Sequence, residues 1–332
     1  MPSRPLERMK LLHVLDESQV AELVSQLDVV AVMRRLFADF AAGGVAQPLQ
    51  TLTLLPGNST GGDFITYPAA ISNPPVFGAK LSPYIPQATG AKVTAWTLLM
   101  SSTHGRPLMV CDAMGLTIER TAATTALAVD LLTPAAAGKL AVIGTGPVGI
   151  AHMRHTAGVR DWSEIACWSP SSGPRADAIM ANHPLCKVAS TLDQAVEGAT
   201  VVLLCTSSAL PVLDPRLLPD CRLVTSISTN APNAHEIPAE SLAELDVYCD
   251  YAKTTPSAAA EMRLAQELGW SSAAILGDLP ALVAGRAERP ARRAFFRSIG
   301  LGCEDIAMAA ALHELLESTP VAGGSARGVR TQ

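Results

Sequence analysis

Gly144, Gly146 and Gly149, in the stretch VIGTGPVG, carry the spacing G-x-G-x-x-G. An apolar run precedes them and a helical pattern follows, the setting in which this motif holds a dinucleotide. The first glycine permits the tight turn, the second lets the backbone approach a pyrophosphate, and the third lets helix and strand pack closely. The helix start supplies unpaired N–H groups and the positive end of a dipole. Thr145, Pro147 and Val148, which fill the turn, join the glycines as candidate cofactor contacts.

The next apolar run, EIACW, ends at SPSSGPRAD without a carboxylate at its tip. An acid there would hold the ribose 2′-hydroxyl of NAD. Ser169, Ser171 and Ser172 can donate instead to a 2′-phosphate, and Arg175 can pair with it, whereas Asp177 lies too far along. NADP(H) is therefore favoured, with NAD(H) left open. The plainer alternative is that the serines only cap the following helix.

Two cations in the first half are placed where charge is unexpected. Lys80, in VFGAKLSPY, falls mid-strand on the face of Val76 and Gly78, opposite Phe77, Ala79 and Leu81. It is either a solvated lysine or one with room beside Gly78 for a ligand. Arg120, in LTIERTAATTALA, is predicted in the first turn of a helix capped by Thr117, where a cation opposes the helix dipole. An anion should compensate it: a ligand carboxylate gripped by the guanidinium fork, or an ion pair with Glu119.

The elements that must position these groups follow from periodicity. A helical pattern spans Glu17 to about Phe40, and TLTLLP, DFITYPA, VFGAKLSPY, KVTAWTLLM and PLMVCDA read as short strands before an Ala-rich helix from Leu116 to Leu132. After Gly138, near-continuous Val/Ile/Leu strands alternate with helices, the pattern of a parallel sheet covered on both faces. A last helix, Glu304 to Glu317, is predicted to return to the first half. The fold class is α/β, a Rossmann-like NAD(P)-binding domain at 133–303 beside a strand-rich α+β domain for substrate binding and dimerisation, formed by 1–132 with 304–332.

Composition narrows the function classes. The 332 residues hold 25 Lys and Arg against 30 Asp and Glu, with no basic stripe to meet a phosphate backbone, so nucleic acid is not an expected partner. No apolar run resembles a signal peptide or a membrane span, which points to the cytoplasm. Seven scattered cysteines suggest neither a disulfide framework nor a metal site. His152 and His155 read as helix-surface residues.

The chain resembles the ornithine cyclodeaminase/μ-crystallin family over nearly its whole length. The resemblance rests on GAKL at Gly78, LTIERTAATTALA, VIGTGPVG, the CTSS segment, STNAPNAHEI at Ser228, LGDLPALVAG and FFRSIGLGCEDIAMA. It implies a homodimer that binds a nicotinamide cofactor and a small amino or imino acid, with Thr206 and Ser207 added to the cofactor set. It also implies that Arg120 holds the substrate carboxylate and that Lys80 contacts the carboxylate or the imine region. Gln50 stands where the family often has a further arginine, and Tyr67 lies in a segment that lines the pocket in relatives or else is a packed strand aromatic.

Asn230 occupies the position of an aspartate that serves as a base in ornithine cyclodeaminases. An amide cannot take that proton, which points away from deamination and toward a reductase. A catalytic role for His235 is a minor alternative, and Glu236, Asp278 and Asp305 are expected to support structure. The resulting expectation is an NADPH-dependent reductase of a small cyclic imino acid. An ornithine cyclodeaminase-type lyase, an amino acid dehydrogenase and a non-enzymatic cofactor-binding protein are the alternatives.

Overall fold

The computed structural model describes residues 12–56, 61–136, 138–228 and 233–318. In the first half, β1 (His13–Leu15), α1 (Glu17–Val24) and α2 (Val29–Ala41) precede β2 (Val45–Ala46), β3 (Thr51–Leu54), β4 (Asp63–Ile71) and β5 (Val76–Gln87). Then come β6 (Gly90–Val93), β7 (Trp96–Ser101), β8 (Pro107–Asp112) and the long helix α3 (Met114–Leu132). The helix expected from Glu17 to Phe40 is two helices. Asp28 accepts from Ala31 N at 2.9 Å and caps the second, so a side chain that competes for backbone donors splits the run. Likewise KVTAWTLLM makes two strands, broken at Thr94 and Ala95.

These strands form a mixed sheet ordered β1-β8-β7-β5-β4-β2, with β3 also on β4 and β6 on β5. Only β1 runs parallel to its neighbour β8; the rest pair antiparallel. Along β5 the two faces separate as expected: Val76 and Lys80 are buried, whereas Phe77 and Leu81 are exposed.

The second half contains β9 (Lys139–Ile143), α4 (Pro147–Ala157), β10 (Glu164–Trp168), α5 (Ala176–Met180), β11 (Cys186–Val188), α6 (Leu192–Val196), β12 (Ala199–Leu204) and β13 (Leu223–Ser226). It continues with β14 (Asp246–Cys249), α7 (Thr255–Ala258), α8 (Ala260–Glu267), β15 (Ile275–Asp278), α9 (Leu279–Val283) and β16 (Ala294–Arg297). All eight strands pair parallel in the order β11-β10-β9-β12-β13-β16-β14-β15. Strand order reverses between β9 and β12, the switch point where doubly wound folds leave a crevice.

The last helix, α10 (Gly302–Ser318), packs against β4, β5 and β7 of the first sheet, and its side chains from Gly302 to Leu312 are all buried. Helix α3 lies against α4 and α2 against α9, so the two halves meet along α2 and α3. No helix among the described residues is long and apolar enough to cross a membrane.

Candidate active site

At the switch point a cleft of about 730 Å³ opens between the ends of β9, β10, β12 and β13. Gly144, Thr145, Gly146, Pro147 and Val148 form one wall, Ser169, Ser171 and Arg175 the second, and Thr206 and Ser207 the third. Gly144 has φ +109, and a Cβ there would sit 2.3 Å from the carbonyl of Cys205. A Cβ on Gly146 would meet nothing within 4 Å, so backbone faces open space where a pyrophosphate would pass. Both features suit a dinucleotide, and the cavity has the size of small-ligand sites.

Beyond β10 the walls are bridged by hydroxyls. Thr145 Oγ1 and Ser169 Oγ lie 2.6 Å apart, and Arg175 Nη2 donates to Thr145 Oγ1 at 3.2 Å. Ser172 is placed differently from its neighbours. It is buried away from the cleft, and its hydroxyl donates to Ser169 O at 2.9 Å. Among the described residues no acid lines this end of the cleft.

The rear wall is organised by Glu236, which is fully buried. Its Oε1 accepts from Thr206 N and Thr206 Oγ1 at 2.7 and 2.8 Å, and its Oε2 accepts from Ser226 Oγ, Ile227 N and Ser228 N at 2.8, 3.1 and 3.1 Å. One carboxylate thus fixes the loops after β12 and β13, the supporting role expected for Glu236. His235 instead turns its Nδ1 to Asn233 O at 2.7 Å, and Asp278 caps α9 by accepting from Ala281 N at 3.1 Å.

The two cations meet in the core. Lys80 and Arg120 are 2% and 4% exposed. Lys80 Nζ donates to Asp305 Oδ1 at 3.1 Å and to Thr117 Oγ1 at 3.2 Å. Arg120 Nε donates to the same Asp305 oxygen at 3.1 Å, and its Nη1 to Glu304 Oε2 at 2.8 Å. Glu304 and Asp305 were legible only as acids opening the last helix; in the fold that helix start lies against β4 and β5.

Two expectations about Arg120 are corrected here. Helix α3 begins at Met114 with Ala113 as its cap residue, so Arg120 stands in the second turn and Thr117 is no cap. Thr117 Oγ1 donates back to Ala113 O at 2.8 Å. Nor does Arg120 pair with Glu119, which holds Arg154 and His155 at 2.6 and 2.7 Å. His152 is also not a surface residue. It is fully buried, its Nδ1 donating to Val148 O at 2.7 Å and its Nε2 lying 3.1 Å from Thr125 Oγ1.

Tyr67 pairs with Lys80 across β4 and β5, and Lys80 Nζ lies 4.2 Å from its ring centroid. Burial raises the Tyr67 hydroxyl above its ordinary value. Burial lowers Lys80 to about 8 against the opposing pull of Asp305, and raises Glu304 to about 8 against that of Arg120. For Arg120 burial acts downward, but Asp305 and Glu304 hold it above its usual range. Gln50 is half-buried just before β3, whereas Gln47, which the sequence did not single out, accepts from Cys303 N at 2.8 Å. Asn230 lies outside the described residues.

Neither Lys80 nor Arg120 lines the cleft directly. The link between them is the turn after β16. Arg297 Nη1 donates to Ser226 Oγ at 3.3 Å behind the cleft, and three residues on, Gly300 packs against the Arg120 guanidinium. Asp250 fixes that turn by accepting from Ile299 N and Gly300 N at 2.7 and 3.0 Å. Among the described residues one group has metal-donor spacing, His13, His313 and Glu317, and it is not part of the cleft.

Comparison with known proteins agrees with this layout. The family model described as ornithine cyclodeaminase/mu-crystallin family matches residues 12–320. An NAD(P)H-dependent anabolic L-arginine dehydrogenase of Pseudomonas aeruginosa is 51% identical over 309 residues, covering 92% of this chain and 98% of its own. The ketimine reductase mu-crystallin of Mus musculus is 24% identical over 278 residues, 82% of this chain and 86% of its own. The structure of Thermococcus litoralis Delta(1)-pyrroline-2-carboxylate reductase in complex with NADH and L-proline shares the fold, with TM-score 0.81, 20% identity, and coverage of 92% of this chain and 98% of that one. The chain belongs to the ornithine cyclodeaminase/mu-crystallin family and is an NAD(P)H-dependent oxidoreductase that acts on a carbon–nitrogen bond.

Proposed function

We propose that the protein reduces an α-imino carboxylate to the amino acid, using NADPH, and that the imine is the open-chain product of a 2-oxo acid and ammonia, of the kind that yields arginine. The carrying observation is the convergence of Lys80 and Arg120 on one buried carboxylate, Asp305, at 3.0 and 3.1 Å. The open-chain substrate is supported by the 51% identity to the arginine dehydrogenase over nearly its full length. The cyclic imino acid expected from sequence becomes the second reading, favoured by the more distant ketimine reductase.

When bound in the cleft, reduced nicotinamide supplies hydride to the imine carbon. The chain's part is to hold the carboxylate on Arg120 and Lys80, with Tyr67 as a wall, and to exclude water. Fixed charges in a dry site need no reorganisation as the reaction proceeds. Ser169, Ser171 and Arg175 provide donors for a 2′-phosphate, which supports NADPH over NADH.

The outward face of the first sheet exposes Phe77, Leu81, Trp96 and Leu98, an apolar surface that supports a homodimer. Seven unpaired cysteines suit a reducing cytoplasm. The test of the reaction is NADPH oxidation with 2-oxo-5-guanidinopentanoate plus ammonia, beside pyrroline- and piperideine-2-carboxylate. Faster turnover of the open-chain pair supports the first reading, faster turnover of the cyclic imines the second, and turnover of none removes both.

A further inference from the structure

The buried cluster holds two cations and two carboxylates, Lys80, Arg120, Glu304 and Asp305, in a region almost closed to water. With all four ionised it is neutral. A substrate carboxylate that joined it would leave a net negative charge under burial, a costly arrangement unless a proton comes with it.

The two acids are not equivalent. Asp305 is bound by both Lys80 and Arg120, so releasing it would strand two cations. Among the described residues Glu304 is held through Oε2 by Arg120 alone, and its Oε1 is buried without a hydrogen-bond partner there. The Arg120 guanidinium already fills the space that a side chain at Gly300 would need, where a Cβ would lie 2.4 Å from its Nη1, so it sits directly against the turn after β16. The exchangeable partner is therefore Glu304.

We infer that Glu304 is a proton-linked counter-ion: when a substrate carboxylate takes its place on Arg120, Glu304 takes up one proton from solvent and remains buried as the neutral acid. This rests on the reading that Arg120 receives the substrate carboxylate. The groups facing Glu304 are Arg120 from α3, Asp305 and Cys303 on α10 and Asp250 at the end of β14, with Lys80 from β5 joined through Asp305. Burial already biases Glu304 toward its neutral form near pH 8, so losing Arg120 needs little more to protonate it. Lys80 titrates in the same range and is the competing source of proton uptake within the cluster.

Calorimetry separates the two. The NADP+-loaded protein, which has no hydride to give, is titrated at pH 8 with 2-oxo-5-guanidinopentanoate in ammonia-free solution and with pyrrole-2-carboxylate, in phosphate and in HEPES. The wild type should take up about half a proton on binding, and E304Q almost none. Equal uptake in the two proteins assigns the proton to Lys80 and overturns the inference while leaving the carboxylate site standing. Absence of any binding heat overturns both. Infrared difference spectra of the wild type give an arm that needs no variant: binding must produce the C=O stretch of a protonated carboxylic acid, and its absence rejects the proposal.

Discussion

The Asp305 carboxylate bridges Lys80 and Arg120, 3.0 Å from one and 3.1 Å from the other, and so ties β5 to α3 through the first turn of α10. Removing one partner of a buried ion pair leaves an uncompensated charge, which typically costs about 3–5 kcal/mol. Asp305→Asn should lower the melting temperature by many degrees and raise KM for the imino acid more than KM for NADPH. Thermal unfolding and two-substrate kinetics check this. A variant with wild-type stability and KM would show that the bridge holds nothing.

Gly300 has φ +76, a conformation that L side chains rarely adopt, and it lies directly against the Arg120 guanidinium. Gly300→Ala should push the guanidinium off Asp305 and Glu304 and raise KM for the carboxylate substrate by about tenfold or more, as expected when a charged contact worth ~1.5–3 kcal/mol is lost. NADPH binding, followed by fluorescence, should change little, because Gly300 is not part of the cleft.

Most residues that the sequence offered for a cofactor line one cleft, because the glycine turn, the hydroxyl-rich tip of β10 and the segment after β12 are local features of one parallel sheet. Period and punctuation also carried most strands of both sheets. What stayed hidden was long-range. Glu304 and Asp305 lie 184 and 185 positions from Arg120, and nothing local says that α10 inserts its start beside β4 and β5. His152 misled for the same reason: spacing on α4 says nothing of α3, which covers it. The split at Asp28 and the α3 start at Met114 turn on capping choices that a period alone does not fix.

His152 is held below its ordinary range, at about 4, chiefly by burial. Its hydrogen bonds require Nδ1–H facing Val148 O, the neutral tautomer. Between pH 6.5 and about 4 the unfolded chain binds a proton here that the folded one refuses, so this residue's contribution to stability is lost as pH falls through that window. Glu304 acts with the opposite slope. Its folded value, about 8 against 4.5, makes the folded chain the better proton binder, and stability from this group declines as pH rises between those limits. Denaturant titrations from pH 4 to 8 should show the acid limb flatten in His152→Gln and the neutral limb flatten in Glu304→Gln.

The exposed apolar face of the first sheet, with Phe77 and Leu81 on β5 beside Trp96 and Leu98 on β7, makes a definite expectation about assembly. The protein should elute and scatter light as a dimer. Phe77→Asp with Leu98→Lys should yield a monomer that still binds NADPH, since the cleft lies in the other sheet. Retention of the dimer in the double variant would move the interface to another surface.

On the proposed reading, Arg175 decides the cofactor. It is exposed beside the cleft and reaches across to Thr145 Oγ1 at 3.2 Å, near Ser169 and Ser171 and with no acid alongside. A guanidinium paired with a phosphate makes charge-assisted hydrogen bonds of ~1.5–3 kcal/mol, whereas a ribose hydroxyl offers it little. Arg175→Ala should therefore reduce kcat/KM for NADPH by about 10- to 100-fold and leave that for NADH nearly unchanged. Installing an acid, as in Ser169→Asp, should go further: it repels the 2′-phosphate and accepts from the 2′-hydroxyl, so the preference should invert toward NADH. Equal losses with both cofactors in Arg175→Ala would show that the arginine serves the pyrophosphate or the fold, and the 2′-phosphate would need another partner.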